Sequence, residues 1–288
     1  MRVSPVASLF MIAAFQIALP GQVVRVGQWE VHEGKEGFVD FTTDTDAQRK
    51  DALNKASIPA AGDAGWSMAE KMSATDSAAK YVKQSKITKP KRQLDFTYFQ
   101  SIVTIPPGYA LKTFEVYYDK VDDAARVWIY NERNPKGVFL SEADMIRPSA
   151  NKATADLKAY VVPGDNRIVV VQYDQHPPGN NITGVRIKVD GAEVKAPTDD
   201  QIGVVLYDGD NFTGLKLPYT AGTHDIFSSQ VGLNDMVSSV KVKPGWRVTL
   251  YEHFKMGGKS LVLTADTPDL KAKGFNNITS GVKIEKIN

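Results

Sequence analysis

The sequence predicts an all-β protein built of two sandwiches that follow one another along the chain. Three observations lead to this prediction. Apolar and polar residues alternate in many short runs, turn-forming residues such as Gly, Pro, Asn and Asp bound these runs, and the last third of the chain contains an internal repeat. Alternation with a period of two indicates half-buried strands, and many short strands separated by turns are typical of sandwiches.

Composition limits the classes of function. The chain has 288 residues, which suggests two domains, and it has 35 basic residues against 33 acidic ones. This balance of charge gives no reason to expect a nucleic acid or an anionic membrane surface as a partner. Because the chain contains no cysteine, disulfides, thiolate chemistry and zinc–sulfur sites are excluded.

Residues 1–21 have the pattern of a secretory signal peptide. Arg2 gives a short positive start, an apolar run follows, and Pro20 and Gly21 end it. The run is shorter than a membrane-spanning helix, which needs about 20 apolar residues. We therefore expect a secreted, extracellular protein with no integral membrane span once the signal is removed. A retained anchor or a buried element is the alternative, because the small-residue pattern of a cleavage site is poorly met.

Residues 22–195 are expected to form the first sandwich, with a helical insertion near 44–85. The insertion is rich in Ala, Lys, Asp and Ser, and it predicts short helices at 47–56 and 67–82. Thr45 has the position and the downstream spacing of a capping-box residue for the first of these helices. A flexible insertion is the alternative.

The segment from 94 to 194 carries the strand signals of this first sandwich. The order of its motifs resembles the galactose-binding-like jelly roll, in which Asp-Asp precedes a Val-Trp-Ile-Tyr-Asn strand and a later Gly-x-Asn-x-Ile segment. The matching residues are Asp122 and Asp123, then 127–131, and then Gly164, Asn166 and Ile168. The resemblance implies a jelly-roll sandwich, in which Asn166 bonds to the backbone after a turn.

The same resemblance implies a place where sugars would bind. Domains of this kind often bind sugars or cell-wall glycans on their loops, where aromatic faces stack on sugar rings and polar side chains bind the hydroxyls. The candidate contacts on the loops are Tyr130, Asn131, Arg133, Asp174, His176 and Asn180. Fold does not fix function, so a purely structural role stays open.

Residues 196–202 form a short polar linker that contains proline, and residues 203–288 contain the repeat. The segment 207–214 returns as 251–258, at an offset of 44 residues, and the segment 234–239 returns as 276–281, at an offset of 42. A repeat of this period predicts two supersecondary units that bury their apolar faces against each other. With about four strands in each unit, the two units would form a sandwich of two Greek keys.

The repeated segments resemble the βγ-crystallin fold. Each unit of that fold carries an aromatic residue, four residues, a second aromatic residue, one residue and a glycine. The first unit matches with Tyr207, Phe212 and Gly214, and the second matches with Tyr251 and Gly258 but has Met256 in place of the second aromatic residue. Methionine can fill the same hydrophobic position. The resemblance covers only residues 203–288.

The calcium-binding branch of that family carries Asn or Asp twice, two free positions, Ser or Thr, and Ser. Residues 234–239 fit at every position, and residues 276–281 fit except at Gly281. Calcium takes six to eight oxygen ligands, which these residue types can supply. The candidate metal ligands are Asn234, Asp235, Met236, Ser238, Asn276, Asn277, Ile278 and Ser280, with Asp210 and His253 from the hairpin loops. The alternative is that these are ordinary turn residues.

We expect the two sites to differ in affinity. The segments 234–239 and 276–281 are the two hexapeptides. The first site would combine the carboxylate of Asp235 with neutral oxygens of its own hexapeptide, including that of Ser238. The second has the neutral Asn277 in place of the carboxylate and should bind calcium more weakly. The resemblance implies that each site also takes a carbonyl from the hairpin loop of the other unit, within 208–211 or 252–255.

The sequence carries no enzyme motif that we recognise. Its four histidines are scattered, and it has no nucleophile elbow, P-loop or dinucleotide fingerprint. We therefore expect a secreted calcium-binding structural or adhesive protein, with calcium ions as cofactor and partner, and not an enzyme. The alternative is an extracellular carbohydrate-binding module for cell-surface or cell-wall glycans. An unrecognised hydrolase is a third hypothesis.

Overall fold

The computed structural model describes residues 23–32, 37–38, 45–69, 79–83, 93–122, 124–139, 141, 144–146, 149–174, 180–226 and 233–287. The predicted signal peptide and the candidate sugar contact His176 lie outside these residues. Within them, no helix is both long enough and apolar enough to cross a membrane.

In the residues that the structure describes, the first sandwich contains thirteen strands and one α-helix. The helix is α1, Asp46–Asn54. The strands are β1 Arg25–Val26, β2 Glu30–His32, β3 Gly37–Phe38, β4 Ser67–Met68, β5 Ala79–Lys83, β6 Gln93–Ile105, β7 Phe114–Asp122, β8 Ala124–Tyr130, β9 Val138–Phe139, β10 Ser149–Ala153, β11 Gly164–Asp174, β12 Asn180–Val189 and β13 Ala192–Val194. A short 3-10 helix, Lys158–Tyr160, precedes β11.

Two antiparallel sheets enclose the core of this sandwich. One has the order β4-β2-β6-β11-β8-β9 with β1 and β3 also paired to β6, and the other has the order β10-β7-β12-β13 with β5 paired to β12. Side chains from the facing strands, among them Phe99, Phe114, Tyr118, Ile168 and Ile182, are almost fully buried in one cluster. The predicted all-β sandwich is confirmed here.

The opposite face of the larger sheet is covered by α1 and by the loop that follows it. Leu53 of the helix and Trp66 of the loop pack on Tyr98 and Tyr173 of the sheet. The helix predicted at 47–56 is confirmed, and the side chain of Thr45 accepts a hydrogen bond from the Gln48 backbone as a capping box. The prediction of a helix at 67–82 is wrong for the residues of that range that the structure describes.

That error has a physical cause. The described parts of 67–82 are β4, which pairs with β2, and β5, which pairs with β12 along four consecutive positions. Both therefore extend the sheets at their edges. A helix over 67–82 would have few apolar side chains to pack against the sheet, because the segment is rich in Ala, Lys, Asp and Ser. Pairing to an existing strand instead satisfies a row of backbone groups.

A buried ion pair fixes α1 to the sheet beneath it. Arg126 of β8 donates two hydrogen bonds to the carboxylate of Asp144, from Nε at 2.8 Å and from Nη2 at 2.6 Å. Its Nη1 donates to Asn54, the last residue of α1, at 2.6 Å, and its guanidinium lies 4.0 Å from the centre of the Phe139 ring. The side chains of Arg126 and Asp144 are only 2% and 1% exposed, so neither charge is solvated by water.

The second sandwich contains the sequence repeat. Its strands are β14 Ile202–Tyr207, β15 Lys216–Thr220, β16 Gly222–Asp225, β17 Ser239–Val242, β18 Trp246–His253, β19 Gly257–Leu263 and β20 Gly281–Lys286. Short 3-10 helices lie at Asp210–Phe212, Phe254–Met256 and Lys271–Lys273. The two sheets have the orders β15-β14-β17 and β16-β20-β18-β19.

The two units exchange strands. The first unit contributes β16 to the sheet of the second, where it pairs with β20. The second unit returns a residue to the first sheet, since Thr267 forms a bridge with Val240. Both units therefore share one core, in which Leu206, Ile226 and Leu250 are fully buried. This explains why neither unit could bury its apolar face alone.

The two sandwiches touch through a mixed interface. Ile102 of β6 packs against the second core, and Lys216 of β15 forms an ion pair with Glu30 of β2 at 3.0 Å. Glu30 also accepts a hydrogen bond from Gln100. The linker predicted at 196–202 stays a prediction, although Ala196 is buried in the first core and β14 begins at Ile202.

His224 on β16 should make folding dependent on pH. Burial is the main cause that lowers the pKa of His224 from 6.5 to about 4, and the charge of Arg25 lowers it further. The unfolded chain therefore takes up a proton below pH 6.5, while the folded protein takes it up only near pH 4. We expect the free energy of unfolding to fall by about 2–3 kcal/mol as the pH drops across this range.

Urea unfolding between pH 7 and pH 4 measures this loss. The control is His224→Phe, which keeps an aromatic ring but cannot titrate. The free energy of unfolding of the wild type, relative to that of this variant, should fall steadily as the pH drops from 6.5 to 4. An equal difference at every pH would contradict the assignment to His224.

Candidate metal centre

The second sandwich has two hairpin corners, the first within 207–214 and the second within 251–258. Both have the same strained backbone. Asn211 and Phe212 have φ angles of 56° and 63°, and Lys255 and Met256, each 44 residues later, have 56° and 60°. Non-glycine residues rarely adopt this left-handed conformation, which costs free energy and is concentrated at functional sites. The rings of Tyr207 and Phe212 meet edge to face at 5.8 Å and close the first corner.

The two candidate metal-binding turns also repeat each other and lie side by side. Asp235 and Asn277, at the second position of each hexapeptide, have φ angles of 54° and 57°. The backbone N–H of Asp235 donates to the carbonyl of Thr279 at 3.0 Å, and the N–H of Asn277 donates to the carbonyl of Val237 at 3.0 Å. These reciprocal bonds hold the turns in an approximately two-fold arrangement.

The side chains of the two turns are exchanged. Ser238 Oγ lies 3.0 Å from Asn277 Oδ1, and Ser280 Oγ lies 3.1 Å from Asp235 Oδ1. We call the first pair cluster A and the second pair cluster B. The sequence-based expectation grouped Asp235 with Ser238 of its own hexapeptide. The structure separates them, because the reciprocal backbone bonds place each second-position residue beside the serine of the other turn.

Each cluster lies beside one hairpin corner. The N–H of Ser238 donates to the carbonyl of Tyr207 at 2.8 Å, so cluster A adjoins the first corner. The N–H of Ser280 donates to the carbonyl of Tyr251 at 2.9 Å, so cluster B adjoins the second corner. Asp235 belongs to the first unit but lies beside the second corner. Asn277 belongs to the second unit but lies beside the first corner. The loop carbonyl that the resemblance implies for each site, within 208–211 or 252–255, stays a prediction.

Several side-chain oxygens of the two turns and of the first hairpin loop are buried and have no hydrogen-bond partner among the described residues. They are Oδ1 of Asn234, Oδ1 of Asn276, Oδ1 of Asp210 and Oγ1 of Thr279. A buried oxygen without a partner is unfavourable, and hard cations such as calcium bind oxygens of these types. The donor set therefore fits a calcium ion. Across the described chain, no three His, Asp or Glu side chains form a group that could hold a metal.

The hairpin loops contribute charges of both signs. Asp210 Oδ2 forms an ion pair with Lys271 at 2.6 Å, and this hydrogen bond raises the pKa of Lys271. Burial raises the pKa of Asp208 in the same loop. His253 in the second loop is exposed. The lower affinity expected for the site of Asn277 stays a prediction, and the exchange places Asn277 beside the more acidic first loop.

Two other predicted ligands have defined places. The carbonyl of Met236 lies 3.4 Å from Ser238 Oγ, next to cluster A. Ile278 is half-buried, and its side chain packs against the second core. Only its backbone carbonyl is therefore a candidate metal ligand.

Asp225, which the sequence did not single out, bonds to the second hairpin corner. In the first unit, Ser239 Oγ accepts from the N–H of Phe212 at 3.0 Å and donates to the carbonyl of Gly209 at 2.6 Å. In the second unit, glycine replaces this serine. Asp225 Oδ1 accepts from the N–H of Lys255 at 2.8 Å, as the carbonyl of Pro268 accepts from the N–H of the equivalent Asn211 at 2.8 Å in the first unit. No sequence signal indicated this role, because Asp225 lies on β16 and reaches the second corner only through strand exchange.

The candidate sugar contacts of the first sandwich do not form an open site where the structure describes them. Asn131 is fully buried, and its side chain bonds to the Tyr160 carbonyl and to Asn166. Arg133 donates to the carbonyls of Ala159 and Val161. Both side chains therefore hold loops in place. The backbone role expected for Asn166 is present, since its Nδ2 donates to the Val162 carbonyl at 2.9 Å.

Tyr130 is half-buried between its neighbours. Its ring stacks on Trp128 at 6.5 Å between centroids, and the guanidinium of Arg167 lies 5.1 Å from its centre. Asp174 and Asn180 are described only as backbone, at the end of β11 and the start of β12. The resemblance of this sandwich to galactose-binding-like domains, and sugar binding with it, stay predictions.

No protein-family model matches the chain. The chain is 33% identical over 81 residues to Spherulin-3A from Physarum polycephalum, an alignment that covers 27% of this chain and 78% of that protein. It is similar to a double mutant of a βγ-crystallin domain from Clostridium beijerinckii, with 32% identity and a TM-score of 0.26 over 28% of this chain and 94% of that one. It is also similar to a βγ-crystallin domain from Flavobacterium johnsoniae, with 27% identity and a TM-score of 0.27 over 29% of this chain and 93% of that one. On the identity with Spherulin-3A, which extends over more than two thirds of that protein, the chain belongs to the βγ-crystallin family through one domain that spans little more than a quarter of its length.

Proposed function

We propose that the second sandwich is the βγ-crystallin domain of this chain and that it binds two calcium ions, one at each oxygen cluster. Calcium would stabilise a secreted structural or adhesive protein. The exchanged pairs of Asp235 with Ser280 and of Asn277 with Ser238 carry this proposal, because each brings oxygens from both units together. Bound calcium would supply positive charge that holds the two units against each other.

The charge of the clusters supports calcium in an extracellular setting. Each cluster has at most one carboxylate among its paired side chains, and the remaining donors are hydroxyl, amide and carbonyl oxygens. Sites with few carboxylates bind calcium weakly, with dissociation constants of about 10⁻⁴–10⁻³ M in extracellular modules. Magnesium is a poorer match, because it demands near-ideal octahedral geometry and dehydrates reluctantly.

Isothermal titration calorimetry of the full chain, after removal of metal with a chelator, tests the proposal. We expect calcium to bind with a stoichiometry of two ions per chain, and magnesium at the same concentration to give no comparable heat. Near-ultraviolet circular dichroism in the same titration reports the tyrosines at the hairpin corners. A chain that takes up no calcium in either measurement would contradict the proposal.

The exchange of ligands leads to a prediction about pairs of variants. Asp235→Asn should weaken calcium binding by about tenfold at cluster B, because it removes the one charge there. Ser280→Ala affects the same ion. The double variant should therefore lose less calcium-binding free energy than the sum of the losses in the two single variants. Ser238→Ala acts on the other ion, and its effect should add to that of Asp235→Asn.

Calorimetry of the wild type, the two single variants and the double variant of each pair measures this difference. The second cycle is the matched control for the first, since both introduce a serine-to-alanine change at an equivalent position. If Asp235 couples to Ser238 and not to Ser280, then each hexapeptide builds its own site, and the exchange does not describe the bound form.

A further inference from the structure

The first sandwich is docked on the segment that directly follows the first hairpin corner. Lys216 of β15 forms an ion pair with Glu30 of β2 at 3.0 Å. One residue earlier, Leu215 lies against Gly62 in the loop between α1 and β4. A β-carbon added at Gly62 would lie 3.0 Å from the backbone nitrogen of Leu215, closer than ordinary van der Waals contact. The backbones of the two sandwiches therefore meet here without room for a side chain.

A buried polar network holds this loop in place. Gln100 Nε2 donates to Glu30 at 2.7 Å and to the carbonyl of Ala61 at 3.1 Å. Gln100 Oε1 accepts from Nε of Arg167 at 2.7 Å, and Nη2 of Arg167 donates to the carbonyl of Pro59 at 2.6 Å. Gln100 and Arg167 are almost fully buried, and Ala61 packs against the second core. The ion pair and the loop are thus parts of one connected contact.

The docked strand lies next to cluster A. Lys216 is paired with Tyr207 across β14 and β15. The carbonyl of Tyr207 accepts from the N–H of Ser238 at 2.8 Å. Ser238 Oγ in turn lies 3.0 Å from Asn277 Oδ1, which completes cluster A. Only the strand pairing and one backbone hydrogen bond therefore separate the docked residue from the proposed calcium ligands.

The equivalent strand of the second unit is open to solvent among the described residues. The residue 44 positions after Lys216 is Ser260 of β19, which is exposed. Ser260 is paired with Tyr251, just as Lys216 is paired with Tyr207. Cluster B thus adjoins a corner of the same construction that the first sandwich does not cover. The internal repeat provides its own comparison between a docked and an undocked corner.

We propose that docking of the first sandwich raises the calcium affinity of cluster A and not that of cluster B, an inference that rests on the calcium sites proposed above. The first corner contains left-handed backbone at Asn211 and Phe212, and such strained conformations persist only where the surrounding structure fixes them. The docked loop and the ion pair hold the end of this corner. Less conformational freedom is then lost when an ion binds beside it.

The calcium affinity of each cluster is measured separately by calorimetry of the full chain in two backgrounds. Asp235→Ala weakens cluster B and so reports cluster A, and Asn277→Ala weakens cluster A and so reports cluster B. Three further changes are made in each background. Gly62→Val separates the docked loop from the corner without a change of charge, Lys216→Met removes the ion pair, and Ser260→Met is the matched control on the uncovered strand.

We expect Gly62→Val and Lys216→Met each to weaken calcium binding at cluster A by about fivefold or more, and to leave cluster B unchanged. Ser260→Met should change neither affinity. Lys216→Met also separates docking from simple charge. Loss of a nearby cation would by itself strengthen calcium binding, so weaker binding in this variant shows that the docked contact outweighs the charge.

The coupling is reciprocal, so calcium at cluster A should strengthen the docking by the same factor. Amide hydrogen exchange in the loop 55–66 measures this effect. We expect calcium to slow the exchange in the Asp235→Ala background and not in the Asn277→Ala background. Equal exchange with and without calcium in the Asp235→Ala background would contradict the reciprocal effect.

Thermal unfolding of each variant without calcium shows that it is folded. A wild type that binds no calcium would overturn the proposed function, and the coupling with it. Two bound ions together with an unchanged affinity of cluster A in Gly62→Val and Lys216→Met would overturn the coupling alone. Equal losses at both clusters, or stronger binding at cluster A in Lys216→Met, would also overturn it.

Discussion

Calcium at about 100 times its dissociation constant is expected to raise the free energy of unfolding of the second sandwich by about 5 kcal/mol, or about 2.7 kcal/mol for each of two sites. The reason is that the clusters exist only in the folded state. Asp235 and Ser280 are 45 residues apart in the chain, and Ser238 and Asn277 are 39 residues apart. The unfolded chain does not hold these oxygens together, so the proposed calcium ions would bind the folded state selectively. Differential scanning calorimetry with calcium and with a chelator measures the gain.

Removal of the side chains of Asp235 and Asn277, at the second position of each hexapeptide, should abolish most of this gain in the free energy of unfolding. The double variant Asp235→Ala with Asn277→Ala loses one ligand from each cluster, and we expect its transition to move little when calcium is added. Asp200→Asn is the control, because it removes an exposed carboxylate from the predicted linker and leaves both clusters intact. Equal stability of the wild type with and without calcium would show that the folded clusters do not bind it.

The internal repeat made much of the second sandwich predictable. Offsets of 44 and 42 residues were visible in the sequence, and the structure repeats its left-handed backbone at the same offsets, in Asn211 and Lys255 and again in Asp235 and Asn277. Such local geometry is encoded by short segments, which is why residue spacing can reveal it.

The pairing within the site was not predictable in the same way. Which serine lies beside Asp235 depends on hydrogen bonds between two distant turns, and the role of Asp225 depends on β16 crossing into the sheet of the other unit. These are properties of strand topology, and no local sequence signal carries them. Asn131 gives the same lesson in the first sandwich. A polar residue at a strand end predicts a loop contact, but its burial and its hydrogen bond to the Tyr160 carbonyl follow from tertiary packing.

Asp144→Ala should destabilise the first sandwich by about 3–5 kcal/mol, because it leaves the guanidinium of Arg126 buried without its counter-charge. The carboxylate of Asp144 accepts two hydrogen bonds from Arg126, and both side chains are almost completely shielded from water. The loss should extend to α1, since Arg126 also donates to Asn54 at the end of that helix. Urea unfolding at neutral pH measures it.

A surface ion pair on the same helix provides the control for burial. Lys55 and Asp51 lie 2.6 Å apart, as close as the buried pair, but their side chains are 57% and 58% exposed. Asp51→Ala should therefore cost no more than about 0.5 kcal/mol, because water already screens and solvates both charges. Replacement of the whole buried pair, as Arg126→Met with Asp144→Leu, should restore most of the stability lost in Asp144→Ala, since no charge is then left uncompensated. If Asp144→Ala and Asp51→Ala cost the same, burial does not determine the energy of the Arg126 pair, and the ion pair does not fix α1 to the sheet.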